Sequence, residues 1–271
     1  MTRYALNPAM PVLLRPDGAV QVGWDPRRAV MVRPPSGLSP TVLAELLRTL
    51  QSGTTLAALQ ARFGVDAGEL VASLVDAGVV TTAERRRTRA ASIRIHGRGP
   101  LSDLLAGALR CSGARVTHSN QTNAAPETTD LVVLSDFLVA DPRVVRELHT
   151  ARVAHLPVRL RDGAGLVGPL VIPGVTSCLG CADLHRSDRD AAWPTVSQLR
   201  DTVGSADRAT VLATAARALN QVDRVIRAVR RGDDVGTSAQ PPPTLDTTLE
   251  FDVNAGAIVA RRWARHPHCW C

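Results

Sequence analysis

The sequence predicts an α/β chain in two parts: a doubly wound sheet preceded by a small α+β unit. Three observations predict it. Strand-like and helix-like segments alternate from Ser92 onward, the pattern of βαβ units. Residues 1–84 instead read as short strands followed by three compact helices. Between the two, residues 85–91 are polar and dense in arginine, the composition of a linker.

In residues 1–84, Pro11 to Arg15 and Ala19 to Gly23 are short apolar runs separated by the turn tripeptide Pro16-Asp17-Gly18. A third run, Ala29 to Val32, follows Asp25-Pro26. Ser39 then caps a predicted helix with Pro40 at its first position and Val42, Leu43, Leu46, Leu47 and Leu50 on one side. Gly53 ends it. Thr55 to Phe63 predicts a second helix. Val65 to Ala77 predicts a third, with Asp66 as cap, Leu70, Leu74 and Val75 inward, and Gly78 closing it. Three strands and three compact helices give a winged-helix-like outline. Thr81 to Ala91, polar, dense in arginine and almost devoid of large apolar residues, reads as a linker.

From Ser92 the elements follow in order. Ser92 to His96 is a strand, and Pro100 to Cys111 a helix with Leu101, Leu104, Leu105, Ala108 and Leu109 on one side. Cys111 reads as a buried small hydrophobe in that helix. Arg115 to His118 is a strand and Ser119 to Thr129 a polar loop. Asp130 to Ser135 is Leu-Val-Val-Leu between polar ends, the mark of a strand covered on both faces. Asp141 to Thr150 is a helix. Val153 to Leu160 and Leu166 to Ile172 are strands, and Ala182 to Ser205 is irregular. Arg208 to Arg231 is the longest helical pattern, with Val211, Ala215, Ala218, Val222, Val225 and Val229 in one stripe. Gly236 to Thr244 is a loop, and Leu245 to Val253 with Ala257 to Trp263 forms a hairpin.

The composition excludes several chemistries. The 271 residues carry 32 basic and 25 acidic side chains, a formal charge of +7, and every cation is arginine. Without lysine there is no Walker-type phosphate lysine, no Schiff base and no lysine general base. The arginines are dispersed and aromatics make up only 3%, which argues against a nucleic-acid track. No apolar run spans a bilayer, and the first residues lack the order of a signal peptide, so a cytoplasmic protein is expected.

Two motifs carry chemistry. Cys178-Leu-Gly-Cys181 and Cys269-Trp-Cys271 offer four thiolates, a set suited to structural zinc with no open position for catalysis. His266 and His268 are alternative donors. Cys178 does not open a predicted helix, which argues against a redox role for the C-x-x-C pair. The second motif is Gly97-Arg-Gly-Pro-Leu-Ser102, between a strand and a helix, the place of a phosphate-binding turn. Ser102 stands where a third glycine belongs, Pro100 removes a donor, and no acid lies near His118 to hold a ribose. Asp136, just past a strand end, is placed for magnesium or for capping a turn. His96 and His155 sit at strand positions, where structural histidines are common.

Gly168-Pro-Leu-Val-Ile-Pro-Gly-Val-Thr-Ser-Cys-Leu-Gly-Cys181, then Arg186, Arg189, Asp190 and Trp193-Pro194, and the ending His266-Pro-His-Cys-Trp-Cys271 resemble the ThiF-like, ubiquitin-activating-type superfamily. The similarity is to its azole-peptide branch, the bacteriocin biosynthesis cyclodehydratase domain proteins, over about Ser92 to Cys271. The resemblance implies a Rossmann-type domain, a dimer, zinc on Cys178, Cys181, Cys269 and Cys271, and a nucleotide turn at Gly97 and Gly99 with Asp136 as its magnesium aspartate. The missing lysine, the missing ribose acid and Phe137 depart from the ATP-using members. The implied role is therefore a degenerate scaffold that is not catalytic alone. Such a scaffold binds a precursor leader peptide and supports a partner YcaO-type cyclodehydratase. Its peptide site would be Ala29, Val30, Met31 and Val32 with Leu70 and Leu74, where strand addition supplies backbone hydrogen bonds. The alternatives are an active adenylating enzyme using ATP and magnesium on a protein C-terminus, and a winged-helix DNA-binding regulator.

Overall fold

The structure, a computed structural model, describes residues 2–84, 89–119, 128–233, 235–236 and 241–271. Of the expected linker, residues 85–88 lie outside the described residues. So do 120–127 of the polar loop and 237–240 of the loop before the hairpin. The chain divides into two compact units, Met1–Arg87 and Thr88–Cys271.

In the first unit, β1 (Thr2–Leu6) pairs antiparallel with β5 (Val80–Glu84). Strands β2 (Val12–Leu14), β3 (Val20–Val22) and β4 (Val30–Val32) form an antiparallel sheet in the order β2-β3-β4. Helices α1 (Pro40–Gln51), α2 (Leu56–Phe63) and α3 (Gly68–Asp76) complete it. Ser39 and Thr55 act as caps, their hydroxyls accepting the N–H groups of Val42 and Ala58. Asp66 does not cap α3. It lies one residue before the cap position, and its carboxylate accepts the N–H of Gly68 in a local turn. The β1·β5 pair contradicts the linker reading over Thr81 to Glu84. Leu6 opposite Val80 is a pairing between distant segments, and polar Thr81 and Thr82 line up with Ala5 and Tyr4. Leu6, Leu43, Leu46, Leu47, Leu50 and Leu59 fill the core, each contributing about 2 kcal/mol over exposure.

The second unit is built on a seven-stranded sheet in the order β12-β11-β10-β9-β8-β6-β7. Strands β6 (Ser92–His96), β7 (Arg115–Ser119), β8 (Leu131–Ser135) and β9 (His155–Arg161) are parallel. Strands β10 (Ala164–Val167), β11 (Thr247–Asp252) and β12 (Ala257–Arg262) extend the sheet antiparallel from β9. Helices α4 (Pro100–Leu109) and α7 (Arg208–Arg231) share one core with Leu131 and Val133. Helix α5 (Pro142–Thr150) packs on Val132 and Leu134. Alternate residues of β8 thus serve opposite faces, which is why that strand is apolar throughout.

Three expectations fail here. The strand expected over Leu166 to Ile172 stops at Val167, because Gly168-Pro169 cannot continue the ladder; single bridges follow at Leu170 and Val171. The segment read as irregular contains most of α6 (Leu179–Ser187) and a 3-10 turn at Trp193–Leu199. Helix α4 ends before Cys111, which is exposed rather than buried. Among the described residues, no helix is long and apolar enough to cross a membrane.

Candidate functional site

Cys178 caps α6, and its sulfur accepts the N–H of Cys181. The sequence-based objection to redox chemistry, that no helix starts there, therefore falls. What separates the two readings is the second pair. Cys178 Sγ lies 3.4 Å from Cys269 Sγ and 3.8 Å from Cys181 Sγ, and Cys181 Sγ lies 3.3 Å from Cys271 Sγ. The four ligand atoms are all within 4.8 Å of one another. Four sulfurs at zinc–thiolate bond length mark out a tetrahedron with edges of about 3.8 Å. The residues present fit that ion. Gly180 lies inside α6, where a Cβ would make ordinary contact, 3.4 Å from Cys178 Sγ and 3.5 Å from Cys269 Sγ, so the cluster does not require a glycine there.

Burial pushes the Cys178 thiol up, and holds that of Cys271 at about 11. Burial also opposes ionisation of Cys181, but the backbone N–H of His266 and the neighbouring cysteine contacts outweigh it and bring that thiol down to about 7. His266 does not replace a thiolate. Its Nδ1 accepts the N–H of His268, so its Nε2 carries the proton and donates to Asp188 at 2.9 Å. His185, Asp188 and His266 form a second close group. With Nε2 spent as a donor, His266 has no lone pair free for a cation. Arg186 lies over the rings of Trp193 and Trp263 and pairs with Asp183, bracing the chain after α6.

The structure brings Gly97, Gly99 and Asp136 together. Asp136 is 2% exposed and has a φ of 72°. Its Oδ1 accepts the N–H of Leu101 at 2.9 Å and its Oδ2 that of Ser102 at 3.1 Å. It caps α4 across the sheet rather than the turn that follows it. Ser102 Oγ accepts the N–H of Gly99, and His118 Nε2 donates to the carbonyl of Gly97. Pro100 has no N–H to offer. Both glycines are explained by close approach. A Cβ on Gly97 would meet Ser135 at 2.4 Å, and one on Gly99 would come 2.7 Å from Asp136 Oδ1. From Gly99 to Ser102 every backbone donor is used inside the chain. The roles of Ser102 and His118 were not foreseen; the serine in place of a third glycine was their only signal.

In the first unit, β4 is one of the two edge strands of its sheet, β2 being the other. Met31 is exposed, Ala29, Val30 and Leu70 are half-buried, and Val32 and Leu74 lie in the core.

No protein-family model matches the chain, and no curated protein sequence does. Solved structures do. A heterocyclase in complex with substrate and cofactor aligns with a TM-score of 0.68 at 14% identity, over 100% of this chain and 39% of that one. The heterocyclase TruD aligns with a TM-score of 0.67 at 17% identity, over 100% and 42%. MccB of E. coli, in a structure with ATP, aligns with a TM-score of 0.58 at 13% identity, over 99% of both chains. The chain shares the fold of these proteins. This chain spans about two fifths of the length of those heterocyclase chains and nearly the whole of MccB.

Proposed function

We propose that the chain is a zinc-stapled, ThiF-like scaffold that binds a precursor leader peptide and supports a partner YcaO-type cyclodehydratase, without activating a substrate itself. The observation that carries this reading is the edge strand β4, which among the described residues pairs only with β3 and turns Met31 to solvent. An extended peptide added there gains backbone hydrogen bonds, and Met31, Val30 and Leu70 offer apolar contacts. The winged-helix reading of residues 1–84 belongs to this proposal. So does zinc on Cys178, Cys181, Cys269 and Cys271, where it would tie the segment after β12 to the start of α6. The likeness to two heterocyclases, one with its substrate, supports the peptide-modifying context.

The test is binding of a labelled leader peptide, taken from a precursor encoded beside this chain's gene. Wild type is expected to bind, and Met31→Asp to weaken binding about tenfold, the cost of a charge facing an apolar contact. Unchanged affinity in that variant would remove β4 from the site. The rival reading, an adenylating enzyme, requires ATP–pyrophosphate exchange in the presence of a protein substrate.

A further inference from the structure

In Rossmann-type sheets that use nucleotides, the turn after the first strand leads into a helix whose N-terminal N–H groups receive phosphate. Here that turn is Gly97–Ser102, between β6 and α4. We infer that Asp136 is an internal occupant of this phosphate cradle: the chain's own carboxylate stands where a nucleotide phosphate would be received, so the turn is closed to ATP. The inference rests on the reading of this turn as a lost nucleotide site.

Four observations support it. The two Asp136 oxygens each take one of the first N–H groups of α4, those of Leu101 and Ser102. The side chain is buried, so it does not share those donors with solvent. The remaining group that a phosphate would seek, the N–H of Gly99, is bonded to Ser102 Oγ at 3.0 Å. The backbone of Asp136 is itself pinned, its N–H donating to Val158 and its carbonyl accepting from Gly204. A carboxylate held from β8 and reaching across to α4 does for the helix end what a bound anion does elsewhere. Of the two glycines that suggest a nucleotide turn, Gly99 admits this carboxylate, since any side chain there would meet it, and Gly97 makes room for Ser135.

The experiment removes the carboxylate and offers an anion in its place, in the full chain. Glycine suits the positive φ of position 136, so Asp136→Gly empties the cradle without forcing the backbone. Its Tm is expected to fall by about 5–10 °C. Sodium sulfate, compared with sodium chloride at equal ionic strength, is expected to raise the Tm of Asp136→Gly several degrees more than that of wild type. The contrast between the two proteins removes the general salting effect of sulfate. Asp136→Asn keeps the cradle filled but turns an amide N–H₂ toward one donor; its Tm is expected to fall without any added sulfate response. This variant decides the matter if the glycine chain does not fold. Equal sulfate responses in wild type and Asp136→Gly, or an Asp136→Asn chain as stable as wild type, would overturn the inference. So would sub-millimolar binding of Mg-ATP to the wild type in calorimetry. None of these measurements involves peptide or partner, so failure here leaves leader-peptide binding standing, and failure to bind peptide leaves the cradle result standing.

Discussion

Two helix starts in the second unit, those of α4 and α6, follow opposite rules. At α4 the orphan N–H groups are met by Asp136 and Ser102, and each donor from Gly99 to Ser102 ends on an oxygen of the same chain. At α6 the cap is a sulfur, Cys178, and around it gather three more sulfurs that have chiefly one another for company. A carboxylate on backbone N–H groups is a complete arrangement. Four cysteines packed together are not, because thiols bond weakly and thiolates repel. The first end has its backbone donors met by the chain's own oxygens, and the second has the form of an ion site.

The sharpest way to break this contrast is to remove one sulfur. Purified wild type is expected to carry about one zinc per chain by metal analysis. Cys178→Ser is expected to lose most of it and to unfold at least about 10 °C lower, because zinc binding here is also folding energy. A chelator should reproduce both effects on the wild type. Metal-free wild type, with a Cys178→Ser variant just as stable, would make the two ends alike and remove zinc from the proposal.

A second test probes how the α6 end is fastened to the sheet. His155 exchanges two backbone hydrogen bonds with Val171, which packs on Cys178 and Cys181. Its ring is wholly buried; burial lowers its pKa from 6.5 to about 4, with Nδ1 donating to the carbonyl of Val153. The folded state thus binds a proton less readily than the unfolded state. The associated stability is present above the unfolded pKa of 6.5 and is lost as pH falls toward 4, by about 3 kcal/mol in all. Between pH 7.5 and pH 5 the Tm of wild type should drop several degrees further than that of His155→Leu. Parallel pH profiles would show that His155 does not control acid stability.

How much of this was legible in the sequence differs between the two ends. The four cysteines announced themselves, because ligand type and spacing are local properties that folding merely brings together. The helix that Cys178 opens is not legible in the sequence, since Gly180 and the polar Asp183, His185 and Arg186 hide any apolar stripe and Cys178 is an unusual cap. The reverse holds at α4. Its helix was read closely, but the partner of its N-terminus is Asp136, 34 residues beyond Ser102, and no sequence pattern ties the two. The β1·β5 pair was missed for the same reason, its register joining Thr2 to Glu84. The cap Ser39, which acts within one turn of the chain, is legible in the sequence, whereas Thr55, expected as the first residue of its helix, is that helix's cap.

The finest test asks which group closes α4. Ser102 Oγ makes two bonds with one residue, accepting from the N–H of Gly99 and donating to its carbonyl. That carbonyl also accepts the N–H of Asp103, so loss of the hydroxyl strands only the Gly99 N–H. The side chain is fully buried but small, and alanine fills nearly the same space. Ser102→Ala should therefore cost about 1 kcal/mol, a Tm decrease of about 2–4 °C, with zinc content unchanged. The two bonds to Asp136 remain in this variant, so its loss should be clearly smaller than that of Asp136→Gly. A loss as large as that of the Asp136 variant would show that the hydroxyl and the carboxylate close the helix as one network, and that removing either opens the whole cradle.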